Sequence, residues 1–234
     1  MKFLKLVATG LVPLAALLVN TAPAAAGTGW TEYVYNPSGQ ALKPQQPPEV
    51  LQNSVRIDFA PGQYVALLTT TDRSLTGDLS GTTLTDNVLV VGDIGAFVEQ
   101  NGGGCTPDNQ FVRFFFTSPA GSGPSDPAPG QPVFNGPGGV PAGFYTQFWW
   151  SNPVHLDLAA GTSGTISAAV GDPTQWSDWN GKTADDNSTV RALFTKAASH
   201  VQSIGLSFGG GCFFENGLTI TGSGGSFESQ FMES

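Results

Sequence analysis

The chain has 234 residues, 9 basic and 18 acidic side chains, and is 40% hydrophobic but only 12% charged, with 31 glycines and 17 prolines. That length suits one domain with a substantial core. The net charge of −9 argues against nucleic acid and anionic membrane surfaces as partners.

The chain opens on a short basic stretch, Met1 to Lys5, followed by an apolar run from Leu6 to Val19 and then Ala22-Pro-Ala-Ala-Ala26. This is the pattern of a secretory signal peptide over residues 1–26, too short and too interrupted for a membrane anchor. Secretion to the extracellular space is the expected localisation, with no membrane insertion. Removing Lys2 and Lys5 leaves 7 of the 9 basic residues against 18 acidic, a net charge of −11. The two cysteines, Cys105 and Cys212, are expected to pair, as cysteines of exported chains usually do.

Residues 27–53 read as an N-terminal arm or linker, in which Thr28 to Tyr35 is either a first strand or an extended arm and Asn36 to Pro48 is Pro/Gln-rich loop. A single β-sandwich domain is then predicted over residues 54–234. Val55-Arg-Ile-Asp-Phe59 alternates with a period of two, Pro61-Gly62 makes a turn, and Tyr64 to Thr69 follows, together predicting a hairpin. Strands are predicted at Leu84 to Val91 and Ala96 to Glu99. Phe111-Val-Arg-Phe-Phe-Phe116 reads as a strand buried on both faces, which leaves Arg113 in need of a partner. The segment 118–143 holds seven prolines and seven glycines and is expected to be a long loop.

Strand character returns at Tyr145 to Trp150, Val154 to Leu158 and Thr165 to Val170. Asp172 to Gly181 is expected to be a loop. One amphipathic helix is predicted at about residues 188–199, with Val190, Leu193, Phe194 and Ala197 on one face and Asn187 or Ser188 as the cap. His200 to Phe208 leads into Gly209-Gly-Gly211, where the backbone must bend or pack closely. Ser226 to Met232 is the closing strand. The fold class is therefore all-β, a two-sheet antiparallel sandwich with one short helix.

The order of Phe148-Trp-Trp-Ser-Asn-Pro153, Gln175-Trp-Ser-Asp-Trp-Asn-Gly-Lys182, the helix and Val201 to Phe208 resembles the galactose-binding-like jelly rolls, which include many secreted carbohydrate-binding modules. The likeness is one of layout and covers about half of the chain. It implies a jelly-roll sandwich, sugar binding on loops or a concave sheet, and the structural calcium that such domains commonly carry; no other cofactor is expected.

Flat rings stack on sugar faces, so two aromatic sets are the candidate ligand-binding residues. Tyr145, Gln147 and Trp149 share one face of a strand, and Trp176, Asp178, Trp179 and Asn180 share a polar loop. The competing reading, that these tryptophans are core, is the usual behaviour of the residue, and at least one of Trp176 and Trp179 is expected to plug the end of the sandwich.

Asp185-Asp-Asn187 could contribute to a calcium site, though a solvated helix N-terminus explains it better. Neither a His-Glu-x-x-His helix nor a Gly-x-Ser-x-Gly elbow is present. Ser151, His155 and Asp157 could be assembled on paper into a triad, but surface histidines are the better reading, and no catalytic residue is singled out. The expectation is a monomeric, non-catalytic binder of carbohydrate or a cell-surface ligand. A structural or protein-interaction sandwich, which predicts buried tryptophans, and a glycan-cleaving hydrolase are the alternatives.

Overall fold

The computed structural model describes residues 29–35, 42–44, 48–51, 54–92, 95, 97–99, 108–118, 148–156, 161–178, 181–210, 217–220 and 222–233. Residues 1–28, both cysteines and all of the 118–143 segment but Ser118 lie outside the described residues. In chain order the strands are β1 (Trp30–Tyr35), β2 (Leu42–Pro44), β3 (Glu49–Val50), β4 (Val55–Phe59), β5 (Tyr64–Thr70), β6 (Thr83–Val91) and β7 (Phe97–Glu99). They continue as β8 (Asp108–Thr117), β9 (Phe148–Ser151), β10 (Val154–His155), β11 (Ser163–Ala169), β12 (Trp176–Asp178), β13 (Ser203–Gly210), β14 (Leu218–Ile220) and β15 (Gly225–Glu233). One helix, α1 (Ser188–Ala198), lies between β12 and β13.

These strands form two antiparallel sheets, as the alternating sequence pattern predicts. The larger has ten strands with the order β12-β9-β8-β13-β5-β1-β2 along its main path; the smaller runs β11-β6-β15-β4-β3. Each sheet turns one row of apolar side chains toward the other. Phe59 from the smaller sheet meets Phe208 from the larger at 6.4 Å between ring centroids, and Phe227 meets Phe208 at 5.2 Å. Phe231 reaches across to Phe114 (5.4 Å) and Trp30 (5.9 Å). The three Phe–Phe contacts are edge-to-face, and such pairs add to plain area burial.

Two expectations are corrected here. Trp30–Tyr35 is not a free arm: β1 is a full member of the larger sheet, between β5 and β2, and Trp30 is core. The sandwich therefore begins at β1 rather than at residue 54. Nor do β4 and β5 form a hairpin, because they belong to different sheets. Alternation fixes which side chains share a face, but it does not say whether a turn keeps the chain in its sheet or carries it across. The Pro61-Gly62 corner, with Gly62 at φ +81°, carries it across.

The helix forms as its pattern predicts. Asn187 Oδ1 accepts the N–H groups of Thr189 and Val190, each at 3.0 Å, and so caps it. Val190, Phe194, Ala197 and Ala198 are buried, while Leu193 is half-buried against the core. Gly210, the last residue of β13, has a packing reason to be glycine: a Cβ there would come within 2.6 Å of Phe111 Cδ2 and 2.9 Å of an Arg113 guanidinium nitrogen. Arg113 is itself buried, with its guanidinium 5.9 Å from the centre of the Phe111 ring.

Candidate functional site

The described members of the expected aromatic platform are inside the protein. Trp149 is 1% exposed and Trp176 0%. β12 lies beside β9, with Trp176 opposite Ser151 and Asp178 opposite Trp149. Phe194 from the helix comes down between the two rings, 5.1 Å from Trp149 and 6.0 Å from Trp176, and Phe116 stands 5.1 Å from Trp176. The Trp176 indole donates to the Ala169 carbonyl at 3.0 Å. Trp176 is thus the plug, and neither ring offers a face to a sugar.

Asp178 is also buried. Its Oδ1 accepts the Lys182 N–H at 2.8 Å, while its own N–H donates to the Lys182 carbonyl at 2.9 Å, so it closes a tight turn. Two segments differ from their expected form, since Trp176–Asp178 is an edge strand preceded by a single 3-10 turn (Pro173–Gln175), not open loop. Sequence pattern missed this because a three-residue strand carries no period of its own. Tyr145, Gln147, Trp179 and Asn180 lie outside the described residues.

The other candidates are accounted for locally. Ser151 is buried and its Oγ accepts the Phe114 N–H at 3.0 Å, while His155 is exposed and edge-on to Phe111 at 5.8 Å. Asp157 lies outside the described residues. Asn187 is engaged as the helix cap, and no group of three metal-ligating side chains occurs among the described residues.

The outer face of the smaller sheet offers a different surface. There Thr165, Asn87 and Gln230 stand in one row across β11, β6 and β15. Thr165 Oγ1 donates to Asn87 Oδ1 at 2.8 Å, and Asn87 Nδ2 donates to Gln230 Oε1 at 3.4 Å. A shallow groove of ≈ 350 Å³ takes in Asn87 and Gln230 of this row and the neighbouring row of Ser163, Leu89 and Glu228, with Ser54 at its edge. Leu89 is 39% exposed, one of two large apolar side chains left in solvent among the described residues. The signal was in the sequence: within Leu84 to Val91 the positions Thr85, Asn87 and Leu89 share the parity opposite to Leu84, Val88 and Val90.

The same parity argument exposes two buried acids that composition alone passes over. Glu32 falls between Trp30 and Val34 on the inward row of β1, and Asp86 between Leu84 and Val88 on the inward row of β6. Burial pushes Glu32 up to about 7, and the charge of Asp58 adds to the effect. Asp86 is also pushed up to about 7 by burial, against the opposing hydrogen bonds from Ser229 and Gln230. Glu32 Oε1 and Asp86 Oδ1 have no hydrogen-bond partner. They lie on different sheets and face packed side chains, so the arrangement holds protons in the interior and presents no open cleft.

No described helix is long and apolar enough to cross a membrane. No protein-family model, curated protein or solved structure matches this chain.

Proposed function

We propose that this protein is an exported, non-catalytic binding protein, and that it meets its ligand on the outer face of the five-stranded sheet. The observation that carries this reading is the groove lined by Asn87, Gln230 and Leu89, with Thr165 bonded to Asn87 at its margin. Amide side chains both donate and accept, as vicinal hydroxyls do. An exposed aliphatic side chain next to them suits the C–H face of a sugar ring. Carbohydrate is therefore the proposed ligand class, in keeping with the resemblance to galactose-binding-like domains, but without ring stacking by Trp149 or Trp176.

Export rests on the pattern of residues 1–26. The Cys105–Cys212 disulfide belongs to the same proposal. The pairing rests on the habit of cysteines in exported chains, which are usually oxidised.

The test is a glycan array probed with the mature protein and with Asn87→Ala/Gln230→Ala. Retention by the wild type and its loss in the double variant, with intrinsic tryptophan fluorescence unchanged, is the expected outcome. Retention by both proteins would move the site off this face. If the wild type is retained on no glycan, the second reading stands: a structural or protein-interaction sandwich without a sugar site. That reading is favoured by the burial of Trp30, Trp149, Trp150 and Trp176.

A further inference from the structure

Open sheet edges are where another chain can add, and proteins blunt them with charge, proline, bulges or brevity. The main path of the larger sheet ends on β12 and β2, and the smaller sheet ends on β11 and β3. β2 has three residues, including Lys43 and Pro44, and β3 has two, one of them Glu49. β12 has three, and its middle residue Ser177 is bridged to Thr183. β11 uses none of these devices. Its seven residues, Ser-Gly-Thr-Ile-Ser-Ala-Ala, include no charge and no proline, and the register with β6 runs from Ser163–Leu89 to Ala169–Thr83 without a shift.

The direction of its backbone groups follows from the flanking bonds. Val90 N–H donates to the Thr162 carbonyl at 2.8 Å, and Val170 N–H donates to the Thr82 carbonyl at 2.9 Å. In an antiparallel ladder the even-numbered residues of β11 therefore bond to β6, and Ser163, Thr165, Ser167 and Ala169 turn their N–H and C=O groups away. Ala169 is closed off, because its N–H donates to Gln175 Oε1 (3.1 Å) and its carbonyl accepts the Trp176 indole (3.0 Å). Nothing among the described residues bonds to the outward N–H and C=O groups of Ser163, Thr165 and Ser167.

We propose that this edge joins two copies of the chain, β11 adding antiparallel to β11 of a second copy about a two-fold axis at Thr165. The register is self-complementary. Thr165 faces Thr165 of the second copy, and Ser163 faces Ser167, so every free N–H meets a free C=O. Ser163-x-Thr165-x-Ser167 reads alike in both directions, and all three side chains are exposed. The chain carries a net charge of −9 and repels itself in general. The uncharged strip is where that repulsion is weakest and where opposed backbone dipoles replace it. The axis stands perpendicular to the sheet, so the two outer faces come to lie on one side of a continuous sheet. The dimer departs from the monomer expected from sequence, and it does not depend on the ligand proposed above.

Sedimentation of the mature protein over a concentration series tests it. The wild type is expected to show a monomer–dimer equilibrium. Thr165→Pro removes an N–H that the monomer does not use and should weaken the dimer by about tenfold or more. Ser163→Lys/Ser167→Lys sets like charges opposite each other and should give monomers, whereas Ser163→Lys/Ser167→Glu sets opposite charges together and should restore the dimer. That rescue arises only if the strand pairs with itself in this register, so the two charge variants decide even if the proline variant fails to fold. A wild type that stays monomeric at every concentration, or a dimer indifferent to the paired lysines, would overturn the proposal. So would association with a different protein by a chain that remains monomeric.

Discussion

The two sheets differ in how many of their faces are buried. In the five-stranded sheet β6 alternates: Leu84, Asp86, Val88 and Val90 are buried, while Asn87 and Leu89 are exposed. In the ten-stranded sheet β9 and β13 are buried at every described position, and β8 from Val112 onward. Phe114, Phe116 and Trp149 face the other sheet and the helix. Phe115, Phe148 and Trp150 lie on the far side of the strands, also buried, with Phe148 stacked on Trp150 at 4.5 Å. Continuous apolar runs are usually associated with parallel sheets covered on both faces. Here they occur in an antiparallel sheet, so what such a run reports is coverage, whatever the strand direction.

The contrast makes the two-sided sheet the place where substitution should cost most. Trp149→Ala removes a ring packed between Phe194 and the neighbouring strands. It should lower unfolding free energy by about 3–5 kcal/mol, measured by denaturant titration. A loss below about 1 kcal/mol would mean that the ring is not held as described.

Glu32 and Asp86, on the inner rows of the two sheets, should together tilt stability with pH. Folded Glu32 and Asp86 keep their protons to about 7, while the unfolded chain releases them in the ordinary carboxylate range. The folded state therefore binds more protons across that window. Stability is full below the ordinary carboxylate range and falls as pH rises through about 7, by roughly 3 kcal/mol per group. Asp78 and Asp172 act in the opposite sense. The Ser80 backbone N–H holds Asp78 below its usual range, and the Thr174 hydroxyl, with Gln175 and the Thr174 N–H, does the same for Asp172. Their contribution is present above the usual carboxylate range and is lost on acidification. Denaturation midpoints should thus peak in mild acid, and Glu32→Gln and Asp86→Asn should each flatten the decline toward alkaline pH. A midpoint that climbs steadily between about pH 5 and pH 8 would contradict the buried, protonated state.

The smallest effect belongs to the outer face of the one-sided sheet. Leu89→Ser should change stability by no more than about 0.5 kcal/mol, because the side chain already meets solvent. A thermal melt displaced well beyond that range would show that the face is covered in solution, which would count against a free ligand groove.

Much of the fold was legible one segment at a time. The alternation of Val55, Ile57 and Phe59, the helical spacing of Val190, Phe194 and Ala197, and the unbroken run from Phe111 to Phe116 each correspond to an element that the structure contains. The site was less legible, because the aromatic reading turned on orientation. Parity placed Trp149 on one face and Phe148 and Trp150 on the other, correctly, but both faces of β9 proved to be interior. Asn87 and Gln230, which form the row on the exposed face, are 143 residues apart in sequence. No local pattern joins them.

The sequence by itself determined the strand-rich class, the position of the helix and its cap, and which side chains share a face, since these follow from backbone geometry with a fixed local period. Only the tertiary structure decided which faces meet water, that β1 belongs to the larger sheet, that β4 and β5 part company, and that β11 is left with an open edge. Those outcomes depend on which distant strands pair and on what packs over each layer. A strand's own alternation is compatible with many choices of neighbour, and burial selects among them only when the whole chain has collapsed.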